Sequence, residues 1–328
     1  MDIGRGRTVK SVDLLNAGAV LAALALALSG AALAGQPSGV RRARASAVMS
    51  VTPATVADAR GREVPVAAYR RIASLGIESD ALLAEFCEPE RITAVSGYGT
   101  GAYRVRLNAK PRLAGLTDLE PLIALAPDLV LVSTAGDQLD RLARLNEAGL
   151  TVFDLGAQRG TASLLLNARR IAALLGDAAR GERWAAGFAR RLAAVSAHLP
   201  AGMPRRRACY VSAFADELYG GTLGTSFHDV LTAAGLIDAA AEHFHDWPKL
   251  SIELLIAMDP DTLVLNSGGA AAIRRLPGAD ALRALRDPGG VLEVEPALLQ
   301  DPTLGMLDAA EVLVELAYPR MGPTGRAR

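Results

Sequence analysis

The 328-residue sequence is poor in the groups that most often carry chemistry: it has two cysteines, four histidines and only 4% aromatic residues. Cys87 and Cys209 fall in different halves, one on a predicted helix and one inside an apolar strand. Neither a structural disulfide nor a thiolate metal site, which needs several ligands, is expected. Charge is balanced at 35 basic and 35 acidic residues, and the basic clusters, Arg41, Arg42 and Arg44 and then Arg205 to Arg207, are short. No nucleic-acid partner is therefore expected. Enzyme signatures are missing as well. No glycine run spells G-x-G-x-x-G behind a strand, and G-x-x-x-x-G-K-[ST], G-x-S-x-G and H-E-x-x-H do not occur.

Long apolar runs are scarce too. Ala17 to Leu28 is preceded by Arg5, Arg7 and Lys10 and followed by the small residues around Ala32-Leu33-Ala34. That run is roughly a dozen residues where a membrane span needs about 20. Residues 1–34 read as a secretory signal cleaved after Ala34, followed by a flexible tail over 35–54. No cysteine lies near the cleavage site, so a lipid anchor is not expected. The expected location is the periplasm.

What is present is a repeat. Leu119-Glu120-Pro121-Leu122-Ile123-Ala124-Leu125-Ala126-Pro127-Asp128-Leu129-Val130-Leu131-Val132 aligns without a gap with Ile252-Glu253-Leu254-Leu255-Ile256-Ala257-Met258-Asp259-Pro260-Asp261-Thr262-Leu263-Val264-Leu265. Each copy reads as a short helix, a Pro-Asp turn that stops it, and a continuous apolar strand. Paired elements imply paired lobes. Strands alternating with helices build parallel sheets with right-handed crossovers, so both lobes are expected to be Rossmann-like α/β units. The first is placed at 55–160 and the second at 201–320, with a terminal tail at 321–328. Residues 161–200 between them are rich in strong helix formers, with breaks predicted near Gly176 and Gly181. Glu182 to His198 is read as a single stiff strut joining the lobes.

Open parallel sheets bind ligands beyond the carboxyl ends of their strands, and two facing lobes pool those edges into one cleft. The loops to inspect in the first lobe are 76–79, 96–103 and 133–136. In the second lobe they are 214–225, 243–247 and 266–269. Tyr98, Gly99, Tyr103 and Arg104 stand in a glycine-rich loop of the first lobe, and Tyr219 and Thr225 in one of the second. Glycines let backbone approach a ligand, and tyrosine offers a flat apolar face with a polar tip. His243, His245 and Trp247 cluster in a third loop. The H-x-H pair with Asp246 is a fair start for a metal site, but without a third and fourth ligand the spacing favours contact with a bulky ligand over direct ligation.

These residues together resemble the periplasmic binding proteins for iron-siderophores, haem and cobalamin, over about Val56 to Tyr318. The resemblance rests on Arg71-Ile72-Ala73-Ser74-Leu75, both Pro-Asp strands, Leu250-Ser251-Ile252-Glu253-Leu254-Leu255, and Gly235-Leu236-Ile237-Asp238-Ala239-Ala240-Ala241-Glu242. It implies two α/β lobes joined by one long bridging helix and a bound ferric siderophore, haem or cobalamin, with no intrinsic cofactor. It further implies a monomer that delivers its cargo to an ABC permease and its ATPase. An acid in the first turn of a helix in each lobe is expected to dock on the permease, here Asp80, after Ser79, and Asp229. The same acids would also complement a helix dipole, with Ser79 and Ser226 as N-caps. The alternatives are a two-lobed enzyme such as an exported glycosyltransferase-like protein, and a signalling or chaperone protein whose lobes bind a protein partner.

Overall fold

The computed structural model describes residues 54–319 apart from 99–102, 118, 135–137, 198, 215–216, 300 and 302–303. The expected signal, nearly all of the N-terminal tail, the terminal tail and Gly99 lie outside the described residues. A short antiparallel ribbon, β1 (Thr55–Ala57) with β2 (Glu63–Pro65), precedes the first lobe. That lobe runs β3 (Ile72–Ser74), α1 (Ile77–Phe86), β4 (Ile92–Ser96), α2 (Arg104–Leu107), β5 (Arg112–Leu113), α3 (Glu120–Ala124), β6 (Leu129–Val132), α4 (Leu139–Glu147) and β7 (Val152–Asp154). Its five strands are parallel, in the order β5-β4-β3-β6-β7.

Two long helices, α5 (Gly160–Leu174) and α6 (Ala178–Ala194), lead to the second lobe. There β8 (Arg207–Phe214) and β9 (Glu217–Gly220) form a hairpin, followed by α7 (Ser226–Ala233), β10 (Ile237–Asp238), β11 (Lys249–Leu250), α8 (Ile252–Met258) and β12 (Thr262–Asn266). The chain ends through α9 (Gly269–Ile273), α10 (Arg283–Arg286), β13 (Val291–Val294), α11 (Pro296–Leu299) and α12 (Leu304–Ala317). The strand order is β11-β9-β8-β12-β13, with β10 beside β8. The α/β class expected from sequence holds in both lobes. The second sheet differs in being mixed, because β9 runs antiparallel to both β8 and β11.

The sequence repeat is a repeat of backbone geometry. Ala126 and Asp259, each just before its Pro-Asp, adopt left-handed φ values of 42° and 41°. Asp128 accepts from the N–H groups of Arg70 and Arg71 at 2.7 and 2.9 Å, and Asp261 accepts from the N–H of Arg207 at 2.7 Å. The arginines answer in kind: Arg71 donates to the Leu125 carbonyl at 2.5 Å and Arg207 to the Met258 carbonyl at 3.3 Å. Each Pro-Asp turn therefore clips the end of its helix to the start of the neighbouring strand, β3 or β8. Backbone N–H groups at a strand entry need a partner, and the aspartate supplies it.

Leu129 and Leu131 of β6 and Val264 of β12 face one apolar cluster shared with Ile171, Phe188 and Leu307 of α5, α6 and α12. Val130 and Val132, and Leu263 and Leu265, face separate outer clusters. Alternation along a strand buried on both sides produces this division. The two lobes thus share an inner core built on the helical pair.

The segment between the lobes is a helical hairpin whose second arm, α6, is the expected strut. The break occurs at Gly176, with φ of +90°. Gly181 is not a break but lies inside α6, where a Cβ would stand 2.7 Å from the Ala172 methyl of α5. The glycine lets the two helices pack closely. The crossing is carried by α6: its start packs Trp184 against Phe86 of α1 at 5.9 Å, and its end pairs Arg191 with Asp308 and Glu311 of α12 at 2.7 and 2.9 Å. Its 17 residues span about 25 Å at about 1.5 Å per residue.

Candidate ligand-binding site

A pocket at the junction of the lobes is lined by Glu78 of α1, Gln158, Gly160 and Leu164 at the entry to α5, Thr225, Ser226 and Trp247 of the second lobe, and Met306 of α12. Trp247 is 55% exposed, and its ring meets Phe227 edge-on at 5.1 Å. Phe227 in turn stacks on Tyr210 of β8 at 3.7 Å. A Cβ at Gly221 would come within 2.9 Å of the Phe227 ring, so the glycine is what allows the end of the β9 segment to close over it. Trp247 thus has a fixed aromatic base and an open face. Thr225 is buried and is the N-cap of α7, accepting from the Phe227 N–H at 3.3 Å. The expected cap, Ser226, is the first helical residue instead.

Sequence reasoning missed Glu78. It is 1% exposed and accepts from the Asn167 amide of α5 at 2.7 Å. Burial, opposed by hydrogen bonds from Asn167 and Gln158, pushes its carboxyl up to about 7. The segment Gly76-Ile77-Glu78-Ser79-Asp80 gives no signal that singles out Glu78, because both of its acids are buried.

A second depression lies on the first lobe, at the ends of β3, β4, β5 and β6. Leu75, Tyr98, Gly115, Leu116, Ser133, Gln138 and Arg141 are among its lining residues, and its volume is about 200 Å³. Tyr98 is 60% exposed there.

Other sequence-predicted residues lie elsewhere. Tyr103 does not lean over a cleft: its ring packs against the inner core, its hydroxyl is buried without a hydrogen-bond partner among the described residues, and burial pushes its phenol far up from the ordinary value. The chain turns into α2 at this residue, which carries the ring inward, and Arg104 is half-buried at the start of α2. Tyr219 is on strand β9, not in a loop, and donates to Glu217. His243 and His245 are exposed in the segment before Trp247. Asp246 of that segment pairs with Arg159 at 3.3 Å, tying the second lobe to the start of α5.

The two expected docking acids are occupied inside the protein. Asp80 is 2% exposed and accepts from the Ser96 N–H at 3.1 Å and the Ser96 hydroxyl at 2.6 Å. Ser79 hydrogen-bonds to Ser74 at 2.7 Å and donates to the Gly76 carbonyl, so Gly76 and not Ser79 is the N-cap. Asp229 is half-buried and accepts from the Thr161 N–H at 2.5 Å, capping α5 from the opposite lobe. Both cysteines are free and buried.

Residues 72–287 match the sequence profile of the periplasmic binding protein family. The chain is a member of that family. A cobalamin-binding protein of Halobacterium salinarum is 27% identical to it over 274 residues, 81% of this chain and 72% of the relative. Two solved structures share the fold at 22% identity and a TM-score of 0.66. One is the periplasmic haem-binding protein of Roseiflexus sp. RS-1, covering 76% of this chain and 99% of that one. The other belongs to an ABC-type Fe3+-hydroxamate transport system of Saccharomonospora viridis, covering 81% of this chain and 99% of that one. In this periplasmic binding protein, the junction pocket is lined by residues of both lobes.

Proposed function

We propose that this protein is the solute-binding component of an ABC importer, exported by residues 1–34 and monomeric in the periplasm. It takes a bulky metal chelate, a ferric siderophore, haem or cobalamin, between its lobes and presents it to the permease and its ATPase. The observation that carries this reading is the junction pocket, where an exposed indole on a fixed aromatic base faces a buried polar floor from the opposite lobe. A flat aromatic face suits a macrocyclic or aromatic chelate. The alternative of a two-lobed enzyme gains nothing from membership of a family of binding proteins.

The docking surface follows from the repeat. Glu120 and Glu253 are equivalent residues in the first turns of α3 and α8, and both are exposed. Each is followed three positions on by an exposed isoleucine, Ile123 at 42% and Ile256 at 40%. Each helix runs opposite to the strand it leads into, so its first turn lies at the carboxyl edge of the sheet, beside the cleft. Two like patches, one per lobe, suit a permease with two like subunits that present arginines. They replace Asp80 and Asp229 in this role. The double variant Glu120→Arg/Glu253→Arg is expected to reduce cellular chelate uptake by about tenfold or more while leaving solution affinity within about twofold. Unimpaired uptake overturns the docking assignment. Failure of the wild type to bind cyanocobalamin, hemin or a ferric hydroxamate in calorimetry overturns the transport reading itself.

A further inference from the structure

Ser133 and Asn266 occupy equivalent positions in the repeat, at the carboxyl ends of β6 and β12. In each sheet the chain changes sides beside that strand. β4 and β5 lie on one side of β3, with β6 and β7 on the other; β9, β10 and β11 lie on one side of β8, with β12 and β13 on the other. Such a switch point is where open α/β sheets hold ligands. By strand alternation both side chains belong to the inner face, with Leu131 and Val264.

Both positions also carry the same anomaly. Ser133 Oγ and Asn266 Oδ1 are buried oxygens without a hydrogen-bond partner among the described residues. A buried polar atom left unpaired costs stability and calls for a reason, and here it recurs at matching places in the two lobes. Ser133 lines the first-lobe pocket beneath Tyr98, where Arg141 donates to the Leu116 carbonyl at 3.0 Å. The Asn266 side chain lies beside that of Tyr210, the base of the aromatic stack that ends in Trp247.

Resting on the chelate-binding reading above, we infer that Ser133 and Asn266 are a matched pair of ligand contacts, one per lobe. On the Asn266 side they select a chelate that offers an uncharged N–H or O–H donor, as peripheral carboxamides do, over one with a carboxylate there, while the Ser133 hydroxyl both donates and accepts and takes either. Asn266 Oδ1 only accepts, so an ionised carboxylate has nothing to give it. The buried carboxyl of Glu78 at the junction works in the same direction.

Calorimetric titration of the full exported protein with cyanocobalamin, whose periphery is amide, and with hemin, which bears two carboxylates, tests this. Cyanocobalamin is expected to bind at least about tenfold more tightly than hemin. Ser133→Ala and Asn266→Ala are each expected to weaken it by about five- to tenfold, the range of one good hydrogen bond. The ligand-free Ser133→Ala protein should melt no lower than the wild type, since its hydroxyl has no bond among the described residues to lose. Asn266→Ala also removes the contact with Tyr210, so the ratio of cyanocobalamin to hemin affinity is the control: a lost ligand contact lowers that ratio, whereas a disturbed aromatic stack weakens both ligands alike. Preference for hemin, or wild-type affinity for cyanocobalamin in both alanine variants, overturns the pair while leaving chelate transport standing. Binding of none of cyanocobalamin, hemin and ferrichrome by the wild type sinks both.

Discussion

The two lobes use one clip and finish it differently. In each, an aspartate after a buried proline holds the strand entry, and an arginine holds the end of the preceding helix. Beyond the clip they diverge. The first sheet stays parallel and opens a depression of mixed lining beside Tyr98, whereas the second folds β9 back on β8 and builds an aromatic stack under Trp247. The difference separates what holds a lobe together from what faces the ligand. The shared device sits at the amino ends of the strands, and the variation is concentrated at the cleft side, where an α/β sheet keeps its function.

The first turns of α1 and α7 provide the sharpest contrast and the largest expected effect. The second residue of α1 is the buried acid Glu78, while that of α7 is the buried Phe227. Glu78 rises from 4.5 to about 7 on folding because burial disfavours its charge. Between those pH values the folded state keeps a proton that the unfolded chain has lost. Its contribution to stability is therefore unpenalised below about pH 4.5, declines as pH rises through the window, and stays lowered above about pH 7, by roughly 3 kcal/mol. Glu78→Gln should remove the decline and be more stable than wild type at pH 8, as read by urea unfolding at pH 5 and 8. Equal pH profiles for the two proteins would show that Glu78 is ionised at no cost and that the contrast is only steric.

Smaller, and equal in the two lobes, should be the effect of breaking the clip. Asp128→Ala and Asp261→Ala each strip a charged acceptor from backbone donors and should each cost about 1–2 kcal/mol in urea unfolding, with additive effects in the double variant. A silent Asp261→Ala beside a costly Asp128→Ala would break the equivalence that the repeat asserts.

The clip was legible in the sequence because Pro-Asp interrupts two helical patterns at the same distance from two apolar strands, a signal both periodic and local. The β8–β9 hairpin was not. Tyr219 and Gly220 of its second strand read equally well as a loop, and pairing direction leaves no mark on a short strand. Gly181 misled because glycine breaks helices and also lets them touch. The site was less legible than the fold. Trp247 stood out as an aromatic in a poor background, but the burial of Asp80 depends on Ser96, sixteen residues away, and no spacing rule announces it.

The smallest expected effect distinguishes the two aromatic contacts. Trp247 is held edge-on by Phe227, itself stacked on Tyr210, so little freedom remains for a ligand to freeze. Tyr98 is 60% exposed and belongs to none of the aromatic pairs among the described residues. Ordering a free side chain on binding costs about 0.5–1.5 kcal/mol, which offsets much of what a stacked ring contributes. Trp247→Ala should therefore weaken chelate binding by about tenfold or more, and Tyr98→Ala by only about three- to fivefold. Tyr98→Phe then divides stacking from polar contact. Restored affinity means the ring stacks, whereas affinity as low as in the alanine variant means the phenol oxygen is the contact, and a larger loss from Tyr98→Ala than from Trp247→Ala would place the binding surface on the first lobe alone.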